Sequence, residues 1–323
     1  MSWYCRETFL FMTLDPVHVG AGGNRLGRVD MTIAREPGTN LPKVPGTSLI
    51  GAARAYAAMT YGKHEAAGQQ KKLGDLGPIK PLECPILYTF GTANDAEPGG
   101  TRAGVVAVSD ARILFFPVYS TSGPIWVTTP ELLKLAGFTP TGKGPSDAGK
   151  VATTLVGAKD RINVGWLLLE LEDGPALITP PDAVKSSDLY KEMAARIVLV
   201  SPRYFSQIVN NHLEVRTSVS INPETGAAEE HALFTYEAIP RGAWLSADVG
   251  LDDYHKRFPG TKLQYNRESK QECAGDPLPG GEDWQTPLDV LRSGLSKIEW
   301  LGVGGMGTRG FGRMKTMAHW EAK

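Results

Sequence analysis

The sequence predicts an α+β domain of split βαβ type, on three observations. Strand-like and helix-like segments interleave, one hairpin is legible from its turn chemistry, and long polar stretches punctuate the elements. With 323 residues, 41% of them hydrophobic, the chain has the material for a substantial core. In chain order, residues 7–14 (ETFLFMTL) are β-branched, aromatic and close to alternating, which predicts a first strand. Four glycines between Gly20 and Gly27 then form a turn, and VDMTIARE offers a second strand. PGTSLIGAARAYAAMTYG reads as a helix capped by Thr47 or Ser48, with Leu49, Ala53, Tyr56 and Ala57 on one face and an N-terminus suited to an anion. Residues 105–118 (VVAVSDARILFFPV) and 165–172 (GWLLLELE) read as buried strands, and ARIVLVS with PRYFSQIVN as a strand followed by a short helix. VRTSVSI and ALFTYEAI flank NPETG, which predicts a hairpin over residues 213–239. The polar stretches 61–85, 139–160 and 250–285 exceed ordinary connections and are read as surface insertions on one domain spanning 1–323.

Bulk electrostatics give nucleic-acid binding no support, because the net charge is -1, so any anion-binding surface must be local. Cys5, Cys84 and Cys273 are far apart and form no CxxC pair, which fits reduced thiols in a cytoplasm and offers no zinc site. The segment MSWYCRETFLFMTLD lacks the basic flank and long apolar centre of a signal peptide, and no stretch has the length for a membrane span. A cytoplasmic protein without a membrane partner is expected.

Two loops are rich in glycine. Gly302, Gly304 and Gly307 have GxGxxG spacing, but too little chain follows for a dinucleotide-binding βαβ unit. GAGGNRLG fails as a P-loop for want of a closing GK[ST]. What remains is an early loop, which includes Gly22 and Gly23 and has Arg25, Arg28 and Arg35 about it, and a late one, which includes Gly305 and has Arg309 and Arg313. Such loops present backbone N–H groups to phosphate, and arginine adds bidentate charge-assisted bonds.

The ordered set DPVHVGAG, GRVDMTIAREPGTNLPKVPGTSLIGAARAY, TFGT, AGVVAVSDARILFFPVYSTSGPIWVTTPELL, RIVLVSPRYFSQIV, LFTYEAIP and GVGGMGTRGFGRM resembles the RAMP superfamily of CRISPR proteins. Within it the set is most similar to the backbone subunit of type III-B (Cmr) effector complexes, over almost the whole chain. The resemblance implies an RRM-like, ferredoxin-type core with insertions and a protruding thumb, here the hairpin at 213–239. It also implies partners: guide RNA, target RNA, further copies stacked in a filament, and other subunits of the complex. Guide contacts must then be independent of sequence and read phosphates and 2′-hydroxyls. Ser48, Arg54, Gly305 and Arg309 are the candidates. The family pattern has a lysine where this chain has Ile50, which leaves that phosphate contact to Lys43 or Arg54.

The resemblance further implies that Asp30 is required for cutting target RNA, with His18 near the same loop and Glu237 approaching a neighbouring subunit's cut site as further catalytic candidates. The chemistry is economical, since the 2′-hydroxyl of RNA is itself the nucleophile and needs only alignment, proton removal and charge compensation. Asp30 is expected to hold Mg²⁺ or Mn²⁺, since an exposed aspartate is a weak base at neutral pH. The implied function is an RNA-guided, metal-dependent endoribonuclease subunit. The rival is a guide-binding scaffold that does not cut.

Overall fold

The computed structural model describes residues 4–22, 29–68, 84–92, 102–158, 160–229, 233–261, 264–266, 271–273 and 283–322. The chain forms two compact units, each assembled from discontinuous segments. One comprises Met1–Glu7, Gly46–Ser109 and Asp248–Gly302, the other Thr8–Pro45, Asp110–Ala247 and Val303–Lys323.

In the first unit the helices Gly46–Tyr61 and Pro287–Leu301 pack together. Their backbones meet at Gly294, where a Cβ would strike the Ala53 carbonyl. The second helix is fixed at its start by a capping box: Thr286 Oγ1 accepts from the Asp289 N–H at 3.3 Å, and the Asp289 carboxylate accepts from the Thr286 N–H at 2.8 Å. Ala57, Cys84, Ile86, Leu87, Trp284 and Val290 form a buried cluster. The first helix begins at Gly46, one residue before the expected caps, so Thr47 and Ser48 lie in its first turn. Gly46 passes so close to the Val108 carbonyl that no side chain fits there.

The second unit is built on a large mixed sheet. Its strands run in the order Arg161–Val164, Leu167–Leu171, Lys150–Thr153, Ile197–Leu199, Ile125–Thr128, Ala111–Val118, Trp244–Asp252, Tyr4–Thr13 and Met314–Glu321. Two neighbouring pairs are parallel, Ile197–Leu199 with Ile125–Thr128 and Leu167–Leu171 with Lys150–Thr153. Leu10, Phe115, Phe138, Tyr190, Leu199 and Trp244 lie in the core beneath it. Phe138 meets Phe115 edge-on at 5.6 Å, and each such buried ring contributes roughly 1.5–3 kcal/mol from area alone.

Several elements differ from the sequence reading. Residues 105–118 make two strands, Val106–Val108 and Ala111–Val118, interrupted at Ser109 and Asp110. VDMTIARE is no regular strand; it is held by isolated bridges at Met31, Ile33 and Arg35. Leu167–Leu171 has only one covered face, with Trp166 and Leu168 62% and 63% exposed. The polar stretch 139–160 contains Lys150–Thr153, a strand whose last three residues are buried in the sheet.

The hairpin is present. Glu214–Ser218 pairs antiparallel with Phe234–Ala238, in a register from Glu214 opposite Ala238 to Ser218 opposite Phe234. At the tip Asn222 Oδ1 accepts from the Glu224 and Thr225 N–H groups at 2.8 and 3.2 Å, the Asx turn that NPETG suggested. Among the described residues no helix is long and apolar enough to cross a membrane.

Candidate active site at the base of the hairpin

Residues 29–35 lie along the returning hairpin strand, Phe234–Ala238. The Met31 N–H donates to the Thr235 carbonyl at 3.1 Å, and the Glu237 N–H donates to the Met31 carbonyl at 3.2 Å. At the outer end of this contact sits Asp30. Its Oδ2 accepts from the Thr235 N–H at 2.7 Å and the Thr235 hydroxyl at 2.9 Å, and its own N–H donates to that hydroxyl at 3.1 Å. The backbone and hydroxyl bonds from Thr235 hold the Asp30 carboxyl below the usual carboxylate range. Oδ1 accepts no hydrogen bond from another residue among the described residues, and Asp30 is exposed. The outcome is an anion with one oxygen anchored and the other presented outward.

Two residues further along the strand, Glu237 is buried and fully engaged. Oε2 pairs with Arg35 Nη2 at 2.8 Å, and Oε1 accepts from the Ile33 N–H at 3.0 Å. Arg35 also donates to Asn210 Oδ1 and, at 3.2 Å, to the Asn40 carbonyl. His18 is buried, with ring Nδ1 2.7 Å from the Glu237 carbonyl oxygen and its ring edge-on to Tyr236. The late glycine loop closes over this turn: the Gly305 N–H donates to the His18 carbonyl at 2.9 Å. Gly304, at φ +86°, sits where a Cβ would strike that same carbonyl, so its glycine is needed for backbone packing.

The cationic candidates divide by environment. Arg309 is exposed, and its guanidinium lies over the Phe234 ring at 4.9 Å. Gly22 and Gly305 are also exposed, while Gly23, Arg25 and Arg28 lie outside the described residues, and Arg313 is paired with Asp15 at 2.5 Å. Lys43 pairs with Asp110 at 2.5 Å, and Arg112 with Glu36 at 3.2 Å. In the other unit, Ser48 is half-buried in the first helical turn. There Arg54 donates to the Ala66 and Gly68 carbonyls at 2.8 and 3.2 Å, and burial lowers the pKa of its guanidinium. Among the described residues no three His, Cys, Asp or Glu side chains group as a metal site.

The sequence profile of the RAMP superfamily matches residues 10–315. The chain belongs to this superfamily. It is 28% identical over 247 residues to the CRISPR system Cmr endoribonuclease Cmr4 of Pyrococcus furiosus, covering 71% of this chain and 75% of the relative. A chain of the type III-B Cmr-beta complex bound to cognate target RNA superposes with a TM-score of 0.62 at 15% identity, covering 98% of this chain and 99% of that one. Oligomeric Cmr4 from Pyrococcus furiosus superposes at 0.55 and 18% identity, over 98% and 100%. The two structures share this RAMP fold.

In this RAMP chain the structure gathers His18, Asp30, Arg35, Glu237, Gly305 and Arg309 around the hairpin base, and places Ser48 and Arg54 in the other unit. Sequence reasoning missed Thr235 and Asn210, which bond Asp30 and Arg35. Strand alternation held the signal for the first: Thr235 and Glu237 are two apart in LFTYEAIP and share one face.

Proposed function

We propose that this chain is a backbone subunit of a type III-B CRISPR effector complex that binds guide RNA and cuts complementary target RNA. The observation that carries the reading is the anchored, exposed carboxylate of Asp30 at the base of the hairpin, in a chain similar to an endoribonuclease. The chain order strand, helix, strand, then strand, helix, strand, with Tyr4–Thr13 and Trp244–Asp252 between Ala111–Val118 and Met314–Glu321, supports a ferredoxin-type, RRM-like core. The hairpin acts as the thumb that displaces one base pair per subunit, so that a kinked target phosphate meets an Asp30 loop. Further copies stack along the guide, other subunits of the complex complete the particle, and the cytoplasm is its compartment. The exposed Gly22, Gly305 and Arg309 contact the RNA backbone.

Asp30 is anionic at neutral pH as an ordinary aspartate is, and Thr235 stabilises the charged form further, which makes it a poorer proton acceptor and a good electrostatic one. Its open Oδ1 suits a divalent cation that keeps most of its ligands as water and phosphate oxygen, the habit of Mg²⁺ or Mn²⁺. Such a cation would offset charge on the scissile phosphate. The residues of this chain supply the rest. Asp30 orients the RNA, while Glu237, with both oxygens bonded, and His18, bonded through Nδ1, hold the turn and loop that carry it.

Cleavage of a labelled guide-complementary RNA by the reconstituted complex tests the reading, wild type against Asp30→Ala, with and without chelator. Regularly spaced products should disappear in the variant and in the chelated wild type, with guide and target binding close to wild type. Tight target binding with no products from the wild type would leave a guide-bearing scaffold.

A further inference from the structure

Thr235 touches Asp30 three times. Its amide and hydroxyl both donate to Oδ2, and its hydroxyl accepts from the Asp30 N–H. A threonine hydroxyl has one proton and two lone pairs, so its donation to the carboxylate and acceptance from the amide fix its rotation. They fix the Asp30 side chain as well, because Oδ2 cannot leave without breaking two bonds to one residue. Thr235 in turn lies in the hairpin ladder opposite Thr217. The loop is further tied to that strand by the Met31 N–H on the Thr235 carbonyl and the Glu237 N–H on the Met31 carbonyl. Asp30 and the returning hairpin strand are therefore joined by side-chain and main-chain bonds across 205 residues of sequence.

We propose that Thr235 is a positioning residue for RNA cleavage: it clamps one oxygen of Asp30 to the hairpin strand so that the other faces the RNA at a fixed distance from the thumb. This rests on the reading that Asp30 serves cleavage. The clamp joins the Asp30 carboxylate to the returning hairpin strand of its own chain, so that loop and strand move as one body. Positioning to a fraction of an ångström matters here, since in-line attack by a 2′-hydroxyl depends on alignment. The hydroxyl is the separable part, because a valine keeps the β-branched shape and the backbone N–H that hold the hairpin.

The test uses the full chain assembled with guide RNA and its partner subunits, comparing wild type, Thr235→Val, Thr235→Ser and Asp30→Ala. Thr235→Val should lower the single-turnover cleavage rate about 10–100-fold with the target-RNA dissociation constant unchanged, and Thr235→Ser should restore most of the rate. Cleavage by Thr235→Val at the wild-type rate, with Asp30→Ala inactive, would overturn the clamp and leave the reading of Asp30 standing. Loss of RNA binding together with cleavage in Thr235→Val would also overturn it, making Thr235 architectural. Undiminished cutting by Asp30→Ala would overturn the reading itself and the clamp with it.

Discussion

Asp30 and Glu237 are two carboxylates on the same contact between residues 29–35 and the returning hairpin strand, yet their surroundings are opposite. Asp30 is exposed, is bonded only to Thr235 among the described residues, and keeps an oxygen open. Glu237 is 7% exposed, and both its oxygens are taken by Arg35 and the Ile33 N–H. Residue type therefore decides little; what a carboxylate does follows from how many partners the fold has already given it. A buried, saturated carboxylate holds structure, and an exposed, half-saturated one has capacity for a ligand.

Removing Glu237 gives the sharpest separation of the two. Glu237→Ala would leave the half-buried Arg35 guanidinium without its carboxylate and the buried Ile33 N–H without an acceptor. A loss of about 3–5 kcal/mol is expected from breaking such a pair on one side. Urea denaturation followed by far-UV circular dichroism measures it, with Asp30→Ala as the comparison whose midpoint should shift far less, because its exposed carboxylate leaves no buried partner unpaired. A Glu237→Ala protein that unfolds with wild type but no longer cuts RNA would erase the distinction and return Glu237 to the chemistry.

A smaller effect tests Asp30 directly. Its carboxyl is held below the usual value of 3.8 by hydrogen bonds from Thr235, the main-chain bond first. For a depressed folded pKa, the stabilisation is present above the ordinary value and is lost as pH falls through the folded one. The Thr235 amide resonance should thus be constant through neutral pH and titrate with a midpoint below 3.8. Asp30→Asn should abolish that titration. A midpoint at or above 3.8 in the wild type would mean that the contact does not favour the charged carboxylate.

What the sequence made legible was local. The NPETG turn, the alternating arms of the hairpin and the Ser201–Pro202 start of the helix Pro202–Asn211 are encoded by neighbours, and they form as read. The candidate site depends on pairings the sequence does not announce, since Arg35 and Glu237 are 202 residues apart and Asp30 and Thr235 are 205 apart. VDMTIARE illustrates the loss. Its alternation is real, but its partners are Gly20, Pro42 and the hairpin strand in turn, so single bridges form instead of a ladder. Lys150–Thr153 was hidden for a related reason: its strand character comes from pairing with Ile197–Leu199, while its own sequence context is polar and rich in glycine.

Lys43 is the lysine nearest in sequence to Ile50, where the family pattern has its own. Lys43 pairs with Asp110, but their side chains are 21% and 36% exposed, so the pair is closer to a surface contact than Arg35–Glu237 is. An ion pair of that kind is worth about 0–1 kcal/mol, and Lys43→Ala should shift the urea midpoint little. Its use, if it meets phosphate, is in affinity: each lost phosphate contact reduces the salt slope of RNA binding by about 0.7–0.9. Guide-RNA titrations at several salt concentrations separate the alternatives. A shallower slope in Lys43→Ala would show that Asp110 holds the lysine ready for RNA, whereas an unchanged slope would make Lys43, like Arg35, a cation already committed to its own fold.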